Sequence, residues 1–399
     1  MLGGVAALLA AYIGLPYLLV QGLGLGVVRS GNWKRPSVAL TFDDGPDPVT
    51  TPAVLDALGA AGVRATFFVL TPKAAAHPEL IWRMQVAGHQ IELHAALHRH
   101  AWLRWPWSAY LDVVRGAGEL EALTGVRPRY HRPPHGAYSL AVLLGQRHAN
   151  LTGAHWDVDA RDWRAGQVPA EMNDRVLARL HPGAVALLHD AGPGAYTTAA
   201  ALPGLLREVS ARGYSAVRLD ELPGAAPMGL SGLPRRLAGV LDVLFDRLGR
   251  VRPLLGRADS LYRVARTSFP FEGVTLSDGA RIERGAPVLE LHVNNPLMVD
   301  IGLLATVRRS VSRELPLLAR ELYLRPDWQG VQAVCCTSAL SPLLERMGFG
   351  TLPLPRLART RLTAWATVLR RVYGSFAPAP QAQLSIVSRE SFLKRYGER

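Results

Sequence analysis

The sequence predicts an α/β protein in which parallel strands alternate with helices, and three observations support this class. Short apolar runs rich in β-branched and aromatic residues, such as Val38–Phe42 and Ala65–Leu70, recur along the first half of the chain. Helical patterns separate these runs, and polar clusters follow directly after several of them. Such alternation is typical of parallel sheets, in which functional sites lie at the carboxyl ends of the strands.

Length and composition limit the remaining choices. The chain has 399 residues, of which 49% are hydrophobic and 19% charged. At roughly 150 residues per domain this length predicts two or three domains, and the apolar content excludes a disordered or collagen-like chain. Its two cysteines, Cys335 and Cys336, are too few for a disulfide scaffold or a Cys-rich zinc module. We expect two buried thiols.

Residues 1–30 are predicted to form a transmembrane helix that anchors the protein. No charged residue occurs between Leu2 and Val28, and about 20 apolar residues suffice to cross a bilayer as a helix. A cleaved signal peptide and a buried core helix are the alternatives, although no basic residue precedes the apolar run. The basic residues Arg29, Lys34 and Arg35 follow the apolar run and favour a cytoplasmic location for the rest of the chain.

The next predicted domain spans residues 36–222 and reads as strands alternating with helices. Pro52 marks the start of its first helix, and Gly62 marks the end. Strands are expected near residues 38–42, 65–70, 90–93, 151–156, 184–188 and 216–219, and helices near 51–62, 79–87 and 108–124. A Gly/Pro-rich stretch closes this domain.

The remaining chain is predicted to contain a basic helical linker, residues 223–267, and a second small α/β domain, residues 268–399. The linker helix is expected over 235–264. In the last domain we expect strands near 288–293 and 331–335 and helices near 301–322 and 356–373.

Most of the net charge of +13 is concentrated in two short segments. Residues 233–267 carry a net charge of +5, and residues 356–399 carry +7. We expect an anionic surface near them, such as phospholipid headgroups or an acidic polymer. Nucleic acid is not expected, because no nucleic-acid motif accompanies the basic runs.

Two neighbouring carboxylates, Asp43 and Asp44, follow the first predicted strand in the segment TFDDGPDP. Adjacent carboxylates repel each other unless a cation or a base lies near. Gly45 and Pro46 make the turn that exposes them. A solvated surface turn is the alternative interpretation.

Two histidines four residues apart, His94 and His98, lie in the segment HAALH. On a helical turn both would point to one face, close enough to share a metal ion. Two histidines and one carboxylate leave coordination positions open, as catalytic metal sites do. Two surface histidines are the alternative, since His89 and His100 also lie nearby.

Three further polar clusters complete the pattern. The segment RPPHG, Arg132–Gly136, is a rigid turn with one cation, and DVDARDW, Asp157–Trp163, sets carboxylates beside an aromatic ring. The segment LLHD, Leu187–Asp190, ends an apolar strand with a histidine. Each cluster alone is a weak signal, but their order and spacing together are specific.

In this order the five clusters resemble the motifs of the polysaccharide deacetylases, the NodB homology domain of carbohydrate esterase family 4. The resemblance covers residues 36–222, including ATFFV and the closing GYSAVRLDEL. It implies a deformed (β/α) barrel that uses a divalent metal to remove acetyl groups from polymers of amino sugars. Zn²⁺ is the expected metal, and Co²⁺ is the alternative. Residues 268–399 faintly resemble a YkoP-type domain, which we expect to be a binding or positioning module.

The resemblance also implies a role for each motif residue. Asp43 resembles the general base, and His189 the general acid. Arg132 resembles the arginine that orients the base, and Asp162 the carboxylate that pairs with the acid. The implied metal ligands are Asp44, His94 and His98, and the implied substrate-binding residues are Trp163, Leu187 and His135. His135 stands where the family usually has an aromatic residue, which puts substrate stacking there in question.

Amide hydrolysis needs groups of these kinds. A divalent ion activates water and polarises the carbonyl, a carboxylate accepts a proton from the water, and a protonated histidine donates a proton to the leaving amine. We therefore expect a metal-dependent N-deacetylase whose partner is an N-acetylated glycan of the cell envelope, placed on the outer face of the cytoplasmic membrane. The alternatives are an O-acetyl glycan esterase, a non-catalytic glycan-binding protein, and separate transferase chemistry in the last domain.

Overall fold

The computed structural model describes residues 2–32, 35–254, 257–294, 303–372 and 379–397. The chain divides into two compact units, Met1–Leu233 and Pro234–Arg399. Polar clusters that the sequence singles out as candidate sites all lie in the first unit.

The first unit is built on a sheet of nine strands, all paired in parallel. The strands are β1 (Val27–Val28), β2 (Ser37–Asp43), β3 (Thr66–Leu70), β4 (Gln90–Ala95), β5 (Tyr130–His131), β6 (Thr152–Ala154), β7 (Val158–Asp159), β8 (Val185–His189) and β9 (Ser215–Val217). Their order is β1-β6-β5-β4-β3-β2-β8-β7, with β9 also paired to β2. The predicted parallel α/β architecture is confirmed, and among the described strands β1 and β7 end the path without pairing to each other.

Helices connect these strands and cover the sheet. They are α1 (Leu2–Leu9), α2 (Thr50–Ala60), α3 (Thr71–Ala76), α4 (Pro78–Val86), α5 (Pro106–Thr124), α6 (Leu140–His148), α7 (Pro169–Arg179) and α8 (Ala195–Ala211). Their apolar faces and the sheet form one core in which Phe42 and Phe67 stack at 5.1 Å. Gly125 ends α5 in the left-handed conformation at φ 72°, which glycine adopts without steric cost.

The amino-terminal segment packs on the first unit. After α1, two π-helical stretches follow, Ala10–Gly14 and Tyr17–Gly22, and Tyr12 contacts the core. Strand β1 then joins the sheet beside β6. In the described parts of the chain, no helix is both long enough and apolar enough to cross a bilayer. The predicted transmembrane anchor over residues 1–30 is therefore not supported; of the residues used for that prediction, Met1 and Lys34 lie outside the described ones.

The second unit contains a mixed sheet of six strands in the order β10-β11-β14-β15-β17-β16. These are β10 (Arg252–Pro253), β11 (Tyr262–Ser268), β14 (Pro287–Val293), β15 (Ala333–Ser338), β16 (Gly350–Pro353) and β17 (Gln383–Ser388), with a separate hairpin of β12 (Val274–Thr275) and β13 (Arg281–Ile282). Its helices span Leu233–Gly249, Leu303–Arg309, Leu315–Leu324, Ser341–Arg346, Arg356–Val372 and Arg389–Tyr396, and a π-helical stretch, Ser310–Glu314, joins the second to the third.

The second unit departs from the sequence-based expectation at its start. The linker helix predicted over 235–264 ends at Gly249, and Tyr262 and Val264 are buried in β11 instead. Residues 301 and 302, the start of another predicted helix, and Tyr373, the end of a third, lie outside the described residues. The two cysteines are free and buried, as expected.

Candidate active site

The candidate site lies at the carboxyl ends of strands β2, β8, β4 and β5, which follow one another in the sheet except that β3 lies between β4 and β2. Asp43 ends β2 and His189 ends β8, and the two residues are register partners in this parallel pair. His94 lies near the end of β4, whose neighbour β5 is followed directly by Arg132. The strand ends of a parallel sheet share one edge, so four motifs that are distant in sequence meet there.

The backbone turn after β2 sends the two adjacent carboxylates to different partners. Asp44 has a φ of 75°, in the left-handed region that Asp tolerates better than most residues. The Lys73 ammonium donates a hydrogen bond to the Asp44 carbonyl at 2.9 Å and holds this turn. As a result, Asp43 faces a buried arginine and Asp44 faces two histidines.

Asp44, His94 and His98 converge on one point. The Asp44 Oδ1 atom lies 3.1 Å from His94 Nε2 and 3.0 Å from His98 Nε2. One donor atom from each residue falls within 4.8 Å of the others, and within the described residues no other group of His, Cys, Asp and Glu side chains does so. Two imidazoles and a carboxylate are a donor set that suits zinc and related ions. The residues therefore fit a divalent metal.

The two histidines reach this point differently from the helical turn that the sequence suggested. His94 belongs to strand β4, and His98 lies in the loop after it, so the helical expectation for HAALH is wrong. The strand ends at Ala95, and the chain must leave the sheet there. The loop after the strand brings His98 to the Asp44 carboxylate. His94 and His98 therefore meet at Asp44 as the helical turn would have required, although the backbone between them is not helical.

Hydrogen bonds within the triad of Asp44, His94 and His98 shift the pKa values of its members. Burial alone would raise the pKa of Asp44, but hydrogen bonds with His94 and His98 hold it well below its ordinary value. The hydrogen bond with Asp44 raises the pKa of His98. A carboxylate that stays ionised and lies next to imidazole nitrogens is ready to share a cation with them.

Asp43 is fixed by a fully buried arginine. Arg132 Nη1 donates to Asp43 Oδ1 at 2.7 Å and to the Thr41 hydroxyl at 2.8 Å. The guanidinium lies over the Phe68 ring at 4.1 Å, and no part of its side chain is exposed. A buried charge is tolerated when it is paired and hydrogen-bonded, so this pair sets the position of the Asp43 carboxylate.

His189 is held at two points by one carboxylate. Asp162 Oδ1 lies 2.7 Å from His189 Nδ1, and Asp162 Oδ2 accepts the His189 backbone N–H at 2.7 Å. The Thr198 hydroxyl donates to the same Oδ2 at 2.6 Å. Burial alone would lower the pKa of His189, but the hydrogen bond and charge of Asp162 raise it to about 9. The imidazole is therefore protonated at neutral pH.

The three predicted substrate-binding residues are placed less uniformly. Trp163 is 47% exposed beside Asp162, whereas Leu187 is buried within β8. His135 is exposed at a φ of 59°, and its ring lies 4.9 Å from that of His98 and stacks on His100 at 5.2 Å. Their roles stay predictions.

Sequence reasoning missed two groups that support the site. Lys73 lies in α3 and carries no motif signal, although an isolated lysine directly after an apolar strand marks the correct sheet edge. Asp190 is fully buried, and its carboxylate accepts the Thr51 hydroxyl at 2.6 Å. Burial raises the pKa of Asp190 to about 7.

Comparison with known proteins relates both units to families. Residues 30–154 match the family described as polysaccharide deacetylase, and residues 234–395 match the YkoP domain. A chitooligosaccharide deacetylase of Sinorhizobium fredii is 42% identical over 174 residues, which cover 42% of this chain and 77% of that protein.

Two further relatives match the same part of the chain. The peptidoglycan-N-acetylglucosamine deacetylase PgdA of Listeria monocytogenes is 36% identical over 190 residues, which are 47% of this chain and 39% of that protein. A solved structure of the Bc1960 peptidoglycan N-acetylglucosamine deacetylase superposes with a TM-score of 0.49 at 28% identity, over 53% of this chain and 98% of that one.

Proposed function

This chain belongs to the polysaccharide deacetylase family, and from that premise we propose that it removes N-acetyl groups from an amino-sugar polymer with a bound divalent metal. The strongest support for this proposal is the geometry of the metal-binding triad. The Asp44, His94 and His98 donor atoms converge within 4.8 Å, in the same turn and strand ends that carry a buried carboxylate and a protonated histidine. A purely glycan-binding surface has no need for this combination of groups.

The metal would be held by Asp44, His94 and His98, and when bound it supplies a polarised carbonyl and a water of lowered pKa. Around that centre, Asp43 accepts the proton of the attacking water while Arg132 keeps the carboxylate oriented. His189 then donates a proton to the departing amine, which is a poor leaving group until it is protonated. Asp162 holds the imidazole so that its other nitrogen, Nε2, is available for this transfer.

For the substrate, we propose an N-acetylated glycan of the cell envelope. The names of the relatives include chitooligosaccharide and peptidoglycan-N-acetylglucosamine deacetylases, and both substrates present an N-acetyl group on an amino sugar. The exposed ring of Trp163 offers an apolar surface for such a sugar beside Asp162. N-acetyl rather than O-acetyl cleavage is favoured by the protonated His189, because an amine needs its proton more than an alkoxide of a sugar does.

The test is acetate release by the purified full chain. Substrates are N-acetylated chitooligosaccharides, peptidoglycan and an O-acetylated xylan, each with and without a chelator. We expect release from at least one N-acetylated glycan, loss with the chelator, and little release from the xylan. Faster release from the xylan would show an esterase, and binding without release would show a glycan-binding protein.

We further propose that residues 36–399 act on the outer face of the cytoplasmic membrane, because polymeric envelope glycans are assembled there. Long domains translocate largely regardless of flanking charge, so the basic residues Arg29, Lys34 and Arg35 do not decide which side of the membrane the domain occupies. Alkaline phosphatase fused after Arg399 is expected to be active. Fluorescence of a reporter that folds only in the cytoplasm would contradict this placement.

An anionic surface near the basic segments is also part of the proposal. Helix Arg356–Val372 supports it, since this helix contains five arginines, no acidic residue and no buried side chain. Replacing three of the arginines, Arg356, Arg361 and Arg371, with Gln is expected to reduce retention on anionic vesicles, with the loss shrinking as salt rises.

A further inference from the structure

A cluster of large apolar side chains is exposed on the loop between β4 and α5 and on the first turn of α5. Leu103 is 87% exposed, Trp105 is 84% exposed and Trp107 is 67% exposed. Single exposed apolar residues are normal on soluble domains, but three large ones within five positions are uncommon and mark an interaction surface. The active-site motifs use none of the three.

The cluster continues onto two neighbouring elements. A groove beside Trp107 is lined on its other side by Leu144 of α6, which is itself 51% exposed. The Tyr17 ring meets the ring of Trp102 edge-on at 5.6 Å, so the amino-terminal segment borders the loop. We define the apolar face as the exposed residues Tyr17, Leu103, Trp105, Trp107, Leu140 and Leu144.

The sequence around the apolar face is poor in carboxylates. Residues 1–42, 93–111 and 122–156 have no Asp or Glu, although acidic residues occur in the intervening stretches. Arginines are present in the same segments, and Arg99 and Arg147 are exposed. Arg104 in the loop is paired with Asp112 of α5 at 3.2 Å, whereas Arg99 and Arg147 have no Asp or Glu in their own segments, so the face is apolar in its centre and carries positive charge.

We propose that the apolar face docks in the plane of a phospholipid bilayer that contains anionic headgroups. Tryptophan and tyrosine prefer the level of the headgroups, and leucine side chains enter the acyl boundary. Guanidinium groups at Arg99 and Arg147 pair with lipid phosphates, which the absence of Asp and Glu from residues 93–111 and 122–156 favours.

Other occupants fit this face less well. A glycan presents many hydroxyl groups and needs hydrogen-bonding partners, whereas Leu103, Leu140 and Leu144 offer none. A second copy of the chain would bring the same positive charge to both sides of a symmetric interface. Only a surface that is negatively charged above an apolar layer matches both properties.

Docking would also affect access to the active site. The Trp102 ring contacts His100 at 4.9 Å, and His100 stacks on His135 beside the metal-binding triad. The apolar face thus begins within a few side chains of the site, and docking holds the site near glycan strands close to the lipid. This consequence rests on the proposed deacetylation, whereas the docking itself does not.

The experiment measures binding of the purified full chain to vesicles in the absence of any glycan. Vesicles of phosphatidylcholine alone are compared with vesicles containing phosphatidylglycerol. A triple variant, Leu103→Ser with Trp105→Ser and Trp107→Ser, is expected to bind the anionic vesicles at least about tenfold more weakly. Arg99→Gln with Arg147→Gln is expected to lose the preference for anionic vesicles.

A matched control removes exposed apolar groups elsewhere on the first unit. Trp82 and Val86 on α4 are 65% and 68% exposed, and Trp82→Ser with Val86→Ser is expected to leave vesicle binding unchanged. The triple variant is expected to release acetate from a soluble chitooligosaccharide at the wild-type rate. If the triple variant unfolds, contact with lipid is tested by quenching of the wild-type Trp fluorescence with brominated phospholipid. This quenching is expected to be smaller in Trp105→Phe.

Three results would overturn the docking proposal. Equal vesicle binding by the triple variant would show that the face does not touch lipid. Loss of activity on the soluble glycan with unchanged vesicle binding would identify the face as a glycan surface. A wild-type dimer that the triple variant dissociates, without vesicle binding, would identify a contact between two copies. Because vesicle binding needs no substrate, failure of the deacetylase proposal leaves this test unaffected.

Discussion

Asp43 and His189 are register partners at the ends of adjacent parallel strands, β2 and β8. The two proposed proton-transfer groups are therefore set by the same backbone hydrogen-bond ladder. Each is then fixed separately, Asp43 by Arg132 and His189 by Asp162. Changing one partner should affect one proton transfer while the other group stays in place.

Replacing the proposed base tests this separation directly. In Asp43→Asn an amide oxygen can still accept from Arg132, but the side chain no longer takes a proton from water. We expect kcat for acetate release to fall about 10²–10⁴-fold. Metal content measured after dialysis should match the wild type, because Asp44 supplies the ligand. Loss of the metal in this variant would reassign the two aspartates.

Replacing the partner of the proposed acid should change the pH dependence of turnover. The pKa of His189 is raised to about 9, so the imidazole stays protonated up to that pH. In Asp162→Asn the pKa should return toward about 6.5, the ordinary value of histidine. The alkaline limb of the profile of kcat against pH is therefore expected to shift to lower pH. Activity at pH 6 should fall less than activity at pH 8. An unmoved limb would assign that ionisation to another group.

The same pair makes a prediction about stability. A raised pKa stabilises the folded state fully below about pH 6.5, and this contribution is lost as the pH rises toward 9. The wild-type free energy of unfolding from denaturant titration should therefore decline over that interval. The decline should be smaller in Asp162→Asn, and an equal decline in both proteins would contradict the assignment.

Metal removal should abolish turnover without unfolding the protein. The triad draws one ligand each from a turn, a strand and a loop that are already packed in the first unit. We expect chelation to stop acetate release and either Zn²⁺ or Co²⁺ to restore it, while the far-ultraviolet circular dichroism spectrum is retained. His94→Gln should weaken metal retention, measured by metal content after dialysis. Full turnover in a metal-free sample would exclude this role.

A glycine next to the acid's partner should resist substitution. A Cβ at Gly194 would lie 1.4 Å from the Asp162 backbone oxygen, whereas one at Gly59 in α2 would meet nothing within 4 Å. Gly194→Ala is expected to cost about 3 kcal/mol, a fall in Tm of about 6–12 °C. Gly59→Ala should stabilise by about 0.5–1 kcal/mol, because alanine favours a helix over glycine. Equal melting temperatures would show that the loop moves freely.

Much of the fold could be predicted because its strands are long enough to show a pattern. Val38–Phe42 and Ala65–Leu70 are runs of apolar and β-branched residues, and Val38–Phe42 and all but the first residue of Ala65–Leu70 lie in β2 and β3. Strands β5 and β7 have two residues each, and two residues carry no periodicity. Likewise, an apolar run at the amino terminus has the same composition whether it faces lipid or packs on protein, so its sequence alone does not distinguish a spanning helix from the other two interpretations.

The candidate site could be predicted from motif order, but its local geometry could not. The spacing of His94 and His98 is compatible both with a helical turn and with a strand followed by a loop. The structure shows the second arrangement, because β4 ends at Ala95. Lys73 acts through its contact with a backbone carbonyl, and such a contact leaves no trace in a local pattern. Interactions between distant segments are set by packing, which sequence periodicity does not describe.

The left-handed backbone at Asp44 has a consequence for how this protein can evolve. Two neighbouring residues serve two separate partners only because the chain reverses its hand between them. Inserting or deleting one residue in this turn would misdirect both carboxylates at once. Homologous sequences are therefore expected to vary in length in the surface loops and to keep a constant length between β2 and α2. A counting of gaps across an alignment is enough to examine this.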